Sequence, residues 1–313
     1  EKVTLKNVLI TGACGYVGKA LVSELENLKI FSLDRIYDEQ VSEQSHKFIC
    51  NDLNKLSIDT KSALINFSGI IVHLAAARSD DFSKKTYLID NIKATEVFIE
   101  RLDPKKIQLF IHAGSVAAID GEILEQEGKP ITCADDWYRL SKYHQQKIIE
   151  SWAILNNIPL IILAPSAIYD FNARQNSTNI GRLEKAVTFL KVVPEINVPK
   201  SLTSMKEFIN AIKYLIDEKI RTTHYDRDVL VQRYLVIDKP VMTITNICKK
   251  MFKAKLIIKI PKLQILLLFI ANLIKLLRLH KKIPLSKERV IKLYKPTDYS
   301  DVTGYKEWIN EEN

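Results

Sequence analysis

The chain is poor in several features that would have fixed its class at once. Of its 313 residues only four are cysteines, Cys14, Cys50, Cys133 and Cys248. They lie far apart, with no CxxC pair and no Cys/His ligand spacing, so neither a disulfide framework nor a zinc site is expected. No stretch reaches the roughly 18 uninterrupted apolar residues that a spanning helix requires. The opening residues, from Glu1 through lysines into a strand-like run, lack the basic, apolar and small-residue succession of a secretory leader, and a cytoplasmic protein is expected. There is no internal repeat and no low-complexity segment. A hydrophobic content of 47% excludes a disordered or fibrous chain. The formal net charge is +9, but lysines occur along the whole chain without an aromatic RNA-binding motif. A solvated surface is therefore expected, and no nucleic-acid partner.

What is present is a rhythm. Short apolar runs at 7–11, 30–33, 47–50, 70–74, 107–113 and 160–164 alternate with helix-period segments at 17–28, 86–102 and 138–156. That order predicts an α/β fold, a Rossmann-like doubly wound parallel sheet with helices on both faces. The dinucleotide-binding domain is expected over 1–165. After Pro165 the order weakens, and 166–313 is expected to form a smaller C-terminal substrate-binding domain, interleaved with the first, with helices resuming near Ser204 and Thr243. The leucine- and isoleucine-rich stretch Leu263 to Leu279, with Lys275, Arg278, Lys281 and Lys282 toward its end, reads as a core helix; interfacial contact with a membrane surface is the alternative.

Glycine is scarce, with nine in the chain, yet three fall within seven positions: Thr11-Gly12-Ala13-Cys14-Gly15-Tyr16-Val17-Gly18. The pattern stands between a strand and a helix, where it makes a phosphate-binding turn. Gly12 permits the turn, Gly15 lets the backbone approach a pyrophosphate, and Gly18 lets the helix pack closely. At the end of the second strand stands Asp34, which suits an adenosine ribose and NAD; the adjacent Arg35 would instead suit the extra phosphate of NADP. NAD is favoured.

Further motifs follow in order: Asn51-Asp52-Leu53, His73-Leu74-Ala75-Ala76, Asn91, Ser115, and Tyr138-Arg139-Leu140-Ser141-Lys142. This series resembles the extended short-chain dehydrogenases/reductases, over about the first 170 residues. The second half is similar to the NAD-dependent nucleotide-sugar epimerases and ketoreductases of bacterial surface-polysaccharide pathways, through Ala164-Pro165-Ser166-Ala167-Ile168-Tyr169, Gly181-Arg182-Leu183 and Lys200-Ser201-Leu202-Thr203-Ser204. Ala164 replaces the usual arginine and Asp170 the usual glycine. The resemblance implies that Asp52 and Leu53 hold adenine, that Leu74, Ala75, Ala76, Asn91 and Pro165 line the cofactor, and that Ser115, Tyr138 and Lys142 are catalytic. It also implies a homodimer as the alternative to a monomer.

The residue types suit the chemistry. Removing hydride from a sugar carbon requires loss of the hydroxyl proton, hence a base beside it. The Tyr138 phenol is a poor base near neutrality, but the Lys142 ammonium, at i+4 on one helix face, stabilises the phenolate and can reach the nicotinamide ribose. Ser115 would hydrogen-bond the same substrate oxygen. Family dehydratases carry an Asp-Glu pair after the Ser or Thr; here Val116 and Ala117 follow, so water elimination is disfavoured. His112 reads as structural. Asp135 and Asp136 read as helix N-terminal acids, with substrate contact as the alternative. Arg78, Arg182, Lys200 and Arg289 are candidates for the phosphates of a nucleoside diphosphate sugar, expected to be UDP-linked, or of a polyprenyl diphosphate sugar should Leu263 to Leu279 meet a membrane. A UDP-hexose or UDP-N-acetylhexosamine 4-epimerase is the leading expectation. A 4-keto-sugar reductase and a non-catalytic NAD(P)-binding module stand as alternatives.

Overall fold

The computed structural model describes residues 6–25, 27–78, 83–128, 130–131, 134–170, 179–221, 230–276 and 287–309. The chain begins β1 (Asn7–Thr11), α1 (Tyr16–Glu24), β2 (Lys29–Asp34), α2 (Glu39–Gln44), β3 (Lys47–Cys50), α3 (Ile58–Asn66) and β4 (Gly69–His73). It continues through α4 (Lys84–Tyr87), a π-helical stretch (Leu88–Lys93), α5 (Ala94–Ile99), β5 (Ile107–Ala113), α6 (Val116–Glu127), α7 (Ala134–Leu155) and β6 (Leu160–Pro165). The helix expected over 86–102 is thus broken by a wider turn at Asn91, a feature frequent at functional sites.

After β6 come β7 (Ala167–Tyr169), α8 (Asn179–Leu190), β8 (Val192–Pro194), β9 (Pro199–Lys200), β10 (Leu202–Ser204), α9 (Met205–Arg221) and β11 (Val231–Val236). The remainder is β12 (Met242–Thr243), α10 (Ile244–Lys250), β13 (Leu256–Ile258), α11 (Leu263–Leu276), α12 (Lys287–Tyr294) and β14 (Lys306–Glu307).

The chain divides into two compact units. The first comprises 1–166, 205–236 and 303–313, and the second 167–204 and 237–302. The first crossing falls one residue beyond the expected boundary, and two later segments return to the first unit.

In the first unit the described residues form an eight-stranded sheet in the order β14-β11-β6-β5-β4-β1-β2-β3, every neighbour parallel. Strands β4 and β6 are apolar almost throughout because helices cover both faces of such a sheet, and both are buried along their length. Leu64 of α3, Phe98 of α5 and Ile149 and Ala153 of α7 pack with Leu9, Ile71, Phe110 and Ile162 in one core. Thr11 pairs with Leu33 and His73, and His73 with His112. The register therefore aligns the carboxyl ends of β1, β2, β4 and β5, where ligands of doubly wound sheets bind. The edge strand β14 is held by the Trp308 N–H on the Leu235 carbonyl at 2.9 Å, with the Trp308 indole edge-on to Tyr214 and Tyr234.

The second unit has short pairings, β7 with β10, β9 with β12 and β8 with β13. Its core gathers Val187, Val193, Ile196, Ile244, Ile247, Phe252 and Leu263, with Leu267, Leu293 and Tyr294 packed against it. Tyr169 donates to Asp238 at 2.6 Å, and Asp238 accepts the Ser204 N–H at 3.0 Å, tying β7 to β10.

Candidate active site

The turn after β1 is built from backbone. Gly12 has φ +71°, and a Cβ there would lie 2.8 Å from the Ala75 nitrogen, so only glycine lets the turn lie against the segment after β4. A Cβ at Gly18 would be driven into the Gly12 and Ala13 carbonyls. Gly15 N-caps α1 without a side chain to satisfy its first amides, which is the arrangement that leaves a helix N-terminus for a phosphate. The Asp34 carboxylate is turned toward this loop: it accepts the Cys14 N–H at 2.9 Å and the Ile36 N–H at 3.0 Å. Burial and the Asp34 charge push the Cys14 thiol up to about 11, so it is neutral. Arg35 is drawn to Asp90 at 3.0 Å. Asp52 accepts from the Asn54 backbone with Oδ1 at 2.8 Å, and Leu53 is a core side chain.

On the other side of the turn, Leu74 to Ala77 is clamped from two directions. Its Leu74 N–H donates to the Thr11 carbonyl at 3.1 Å. Asn91, fully buried, accepts the Ala77 N–H at 2.6 Å and donates to Ser141 at 2.8 Å, and Ser141 donates to the Tyr138 carbonyl at 2.7 Å. The motif asparagine thereby couples the wall after β4 to α7.

The three expected catalytic residues lie on the elements that meet at the end of β5. Ser115 N-caps α6, accepting the Ala117 N–H at 3.1 Å. Tyr138 and Lys142 are one turn apart on α7, and the Tyr138 ring lies against Tyr87 at 5.6 Å. α6 meets α7 at Gly121, where a Cβ would collide with the Arg139 carbonyl. Lys142 is buried, and its ammonium reaches the Ala113 carbonyl at 3.5 Å and Gln145 Oε1 at 2.6 Å. Burial lowers its pKa to about 7.

Gln145 was not visible as a site residue in the sequence. Its amide donates to Thr95 at 2.9 Å and to the Ala75 carbonyl at 3.3 Å. Thr95 donates to the Asn91 carbonyl, so its oxygen accepts the remaining contact, from His73 Nε2 at 3.2 Å. Thr11 accepts the Ala75 N–H, so its proton goes to His73 Nδ1 at 2.7 Å. The tautomer follows: His73 is neutral with the proton on Nε2, and its pKa falls to about 3 by burial and then by the Lys142 charge. A chain of directed hydrogen bonds thus runs from Lys142 to the glycine turn. The only clue to it in the sequence was the His73 motif itself.

His112 stacks on His73 at 5.7 Å, and neither of its ring nitrogens has a partner among the described residues. Burial holds it neutral. Asp135 and Asp136 stand in the first turn of α7 and bind Arg139 at 2.5 and 3.4 Å, with Asp120 at 3.5 Å. Arg78 is exposed beyond the β4 turn. In the second unit, the Arg182 side chain lies outside the described residues, and Arg289 is half-buried on α12. Lys200 donates to the Lys292 and Lys295 carbonyls at 2.8 and 2.5 Å. It therefore closes the C-terminal end of α12, a role cations commonly take there. A cavity of about 270 Å³ lined by Asn7, Phe31, Lys47 and Phe67 lies at the amino ends of the strands, away from this chemistry. The described residues contain no metal-binding cluster, and the three described cysteines are unpaired.

A family model described as the NAD dependent epimerase/dehydratase family matches residues 8–212. The chain belongs to this family. NAD is its cofactor, and the site fits it: the glycine turn leaves room for backbone approach, and Asp34, not Arg35, faces that turn. The fold is similar to that of a UDP-glucuronic acid 4-epimerase from Bacillus cereus solved with NAD, with 16% identity, TM-score 0.62, and 82% of this chain and 86% of that chain covered. A UDP-glucose 4-epimerase from Thermotoga maritima solved with UDP-glucose gives 15% identity, TM-score 0.60, and 82% and 86% coverage. Among curated relatives, the hybrid PKS-NRPS synthetase gkaA of Penicillium citrinum is 25% identical over 245 residues, 72% of this chain. A trichosetin synthetase, PKS-NRPS1 of Gibberella fujikuroi, is 27% identical over 210 residues, 62% of this chain. The chain spans only 6% and 5% of the length of those two proteins.

Proposed function

We propose that this family member is a nucleotide-sugar epimerase that inverts a hydroxyl-bearing carbon, C4 of a UDP-hexose or UDP-N-acetylhexosamine, through a keto-sugar intermediate, for surface-polysaccharide synthesis. The observation that carries the reading is the buried Lys142 ammonium, one helical turn from Tyr138, which reaches the Ala113 carbonyl at the end of β5 two residues before Ser115. In this reading bound NAD supplies the acceptor and donor of hydride. Tyr138 takes the sugar hydroxyl proton as the carbonyl forms and returns it after the hydride comes back on the other face. Lys142 stabilises the Tyr138 phenolate by its charge. Ser115, its lone pair committed to the Ala117 N–H, donates its proton to the reacting oxygen. Asp34, Asp52, Leu53, the Cys14–Gly18 turn and Leu74 to Ala76 hold the dinucleotide, with Pro165 at the end of β6.

Two features support epimerisation over its neighbours. Elimination of water needs an acid beside Ser115, and Val116 and Ala117 are buried apolar residues there, while Asp120 is paired with Arg139. A non-catalytic module would have no use for a buried lysine held between two carbonyl acceptors. A single-pass ketoreductase shares the same residues and is separated from an epimerase by whether the cofactor stays bound.

The test is to denature protein purified without added cofactor, identify any released dinucleotide, and follow UDP-sugar interconversion by NMR. Retained NAD with exchange of gluco and galacto forms is expected; an empty site that consumes NADH only with a 4-keto sugar would replace the epimerase by the reductase. Tyr138→Phe is expected to lower turnover by about 10³-fold while NAD binding stays, and unchanged turnover would remove Tyr138 from its role.

A further inference from the structure

The net charge of the chain is not evenly distributed. Residues 249–295 hold 14 of the 46 basic residues and one of the 37 acidic ones, Glu288. The rest of the chain, with 32 basic against 36 acidic residues, is mildly acidic. All of the positive balance therefore belongs to one stretch of the second unit, which runs from the last two residues of α10 through β13, α11 and α12. The distribution of lysines along the whole length had concealed this concentration.

The same stretch carries the unit's outward apolar residues. On α11, Leu263, Ala271 and Ile274 are buried and Leu267 packs on the core. At the positions between them, Ile265 is 64% exposed, Phe269 66%, Leu266 46% and Leu273 43%. Leu266, Phe269 and Leu273 follow the i, i+3, i+7 spacing of one helix stripe. A helix that buries one apolar stripe and exposes a second has more apolar surface than its own core uses. Just before it in the chain, Leu256, Ile258 and Ile260 are also exposed, alternating with the exposed Lys255, Lys259 and Lys262. Lysines flanking an outward apolar stripe are the composition of a helix that lies in a lipid headgroup layer. Crossing is a different matter: no helix among the described residues is long and apolar enough to span a membrane.

We infer that α11 docks the second unit on an anionic lipid bilayer, with Ile265, Leu266, Phe269 and Leu273 entering the headgroup region and the exposed Lys255, Lys259, Lys262 and Lys275 facing the lipid phosphates. A nucleic acid would meet the charge but leave the apolar stripe wet. A second copy of this chain would bring the same positive charge against itself. An anionic bilayer answers both properties at once. The docking is independent of the reaction proposed above, and its test needs no turnover.

The full chain is incubated with sedimentable vesicles of phosphatidylcholine alone, or with a third of the lipid replaced by phosphatidylglycerol, and the bound fraction is measured. Binding to the anionic vesicles at least about tenfold stronger than to neutral ones, weakened by high salt, is expected. Leu266→Gln with Phe269→Gln, a change of exposed side chains to good helix formers, is expected to lower that binding by about tenfold or more with an unchanged circular dichroism spectrum. Lys259→Gln with Lys262→Gln is expected to lower it on anionic vesicles and to leave the neutral baseline unmoved. The inference is overturned if the wild-type chain binds neither vesicle, binds both equally, or binds as before after the Leu266/Phe269 change. It is equally overturned if a chain that ignores vesicles proves to be a dimer that those two substitutions dissociate, or binds RNA instead.

Discussion

The carboxyl end of the first unit's sheet and the outer face of α11 handle awkward groups in opposite ways. Behind Lys142, polar groups sit in a hydrophobic core, and they are accommodated by giving each proton a direction: lysine to glutamine, glutamine to threonine and the Ala75 carbonyl, histidine to threonine. On α11, apolar side chains stand about half or more in water. The first region should respond sharply to a single change; the second should tolerate change until a partner is supplied. A buried polar network stands or falls as a set, because an unmet group there costs its full desolvation. An exposed apolar side chain costs the isolated protein little.

The largest effect expected is on acid stability. His73, at about 3 in the folded protein, and His112, held well below 6.5, both stay neutral, while the unfolded chain takes up protons below about 6.5. The unfolded state then binds more protons, so stability is full above pH 6.5 and falls as pH drops. Between pH 6.5 and 5 the loss from His73 should be on the order of 1–2 kcal/mol, with His112 adding to it in the same direction, read from urea titrations. His112→Leu should remove one share of that slope, since its ring nitrogens have no partner among the described residues to lose. A slope the same in the variant would mean His112 is protonated in the native state.

A second effect tests direction within the network. Gln145→Leu removes the nearer of the two acceptors of the Lys142 ammonium, leaving the Ala113 carbonyl, and so disfavours the charged form. Lys142 should then lose its proton at lower pH, and the alkaline limb of kcat/KM should move down by about one to two pH units, the worth of one charge-assisted hydrogen bond of about 1.5–3 kcal/mol. Gln145→Glu should move it the other way. A role confined to packing would lower activity without moving either limb.

The smallest effect belongs to the other region. Phe269→Ser, in the absence of lipid, should change stability by no more than about 0.5 kcal/mol. A loss of several kcal/mol on thermal or urea unfolding would show that the side chain is covered after all, and the contrast between the regions would collapse.

The same contrast explains what could be read from the residues alone. The first six strands were legible because the strands of a parallel sheet covered by helices are written as apolar runs, and the glycine turn because close backbone approach fixes the spacing of its glycines. β11 was not, since Val231 to Val236 interleaves Gln232, Arg233 and Tyr234, which find partners such as Glu150 only once α7 is packed beside them. Gln145 escaped for the same reason: a glutamine on a helix says nothing until the fold brings Ala75, Thr95 and Lys142 to it. The contacts of Lys200 were not legible either, because the carbonyls it meets come from residues more than 90 positions away.

The edge strand β14 carries one more implication, for the order in which the molecule is made. It lies about 70 positions after its neighbour β11 and is fastened there by Trp308. During synthesis, at about 5–20 residues per second, β11 leaves the ribosome seconds before the strand that covers it. Through that interval its backbone edge is open to other nascent chains, so a truncation before Lys306 would make the interval permanent and favour aggregation through that edge.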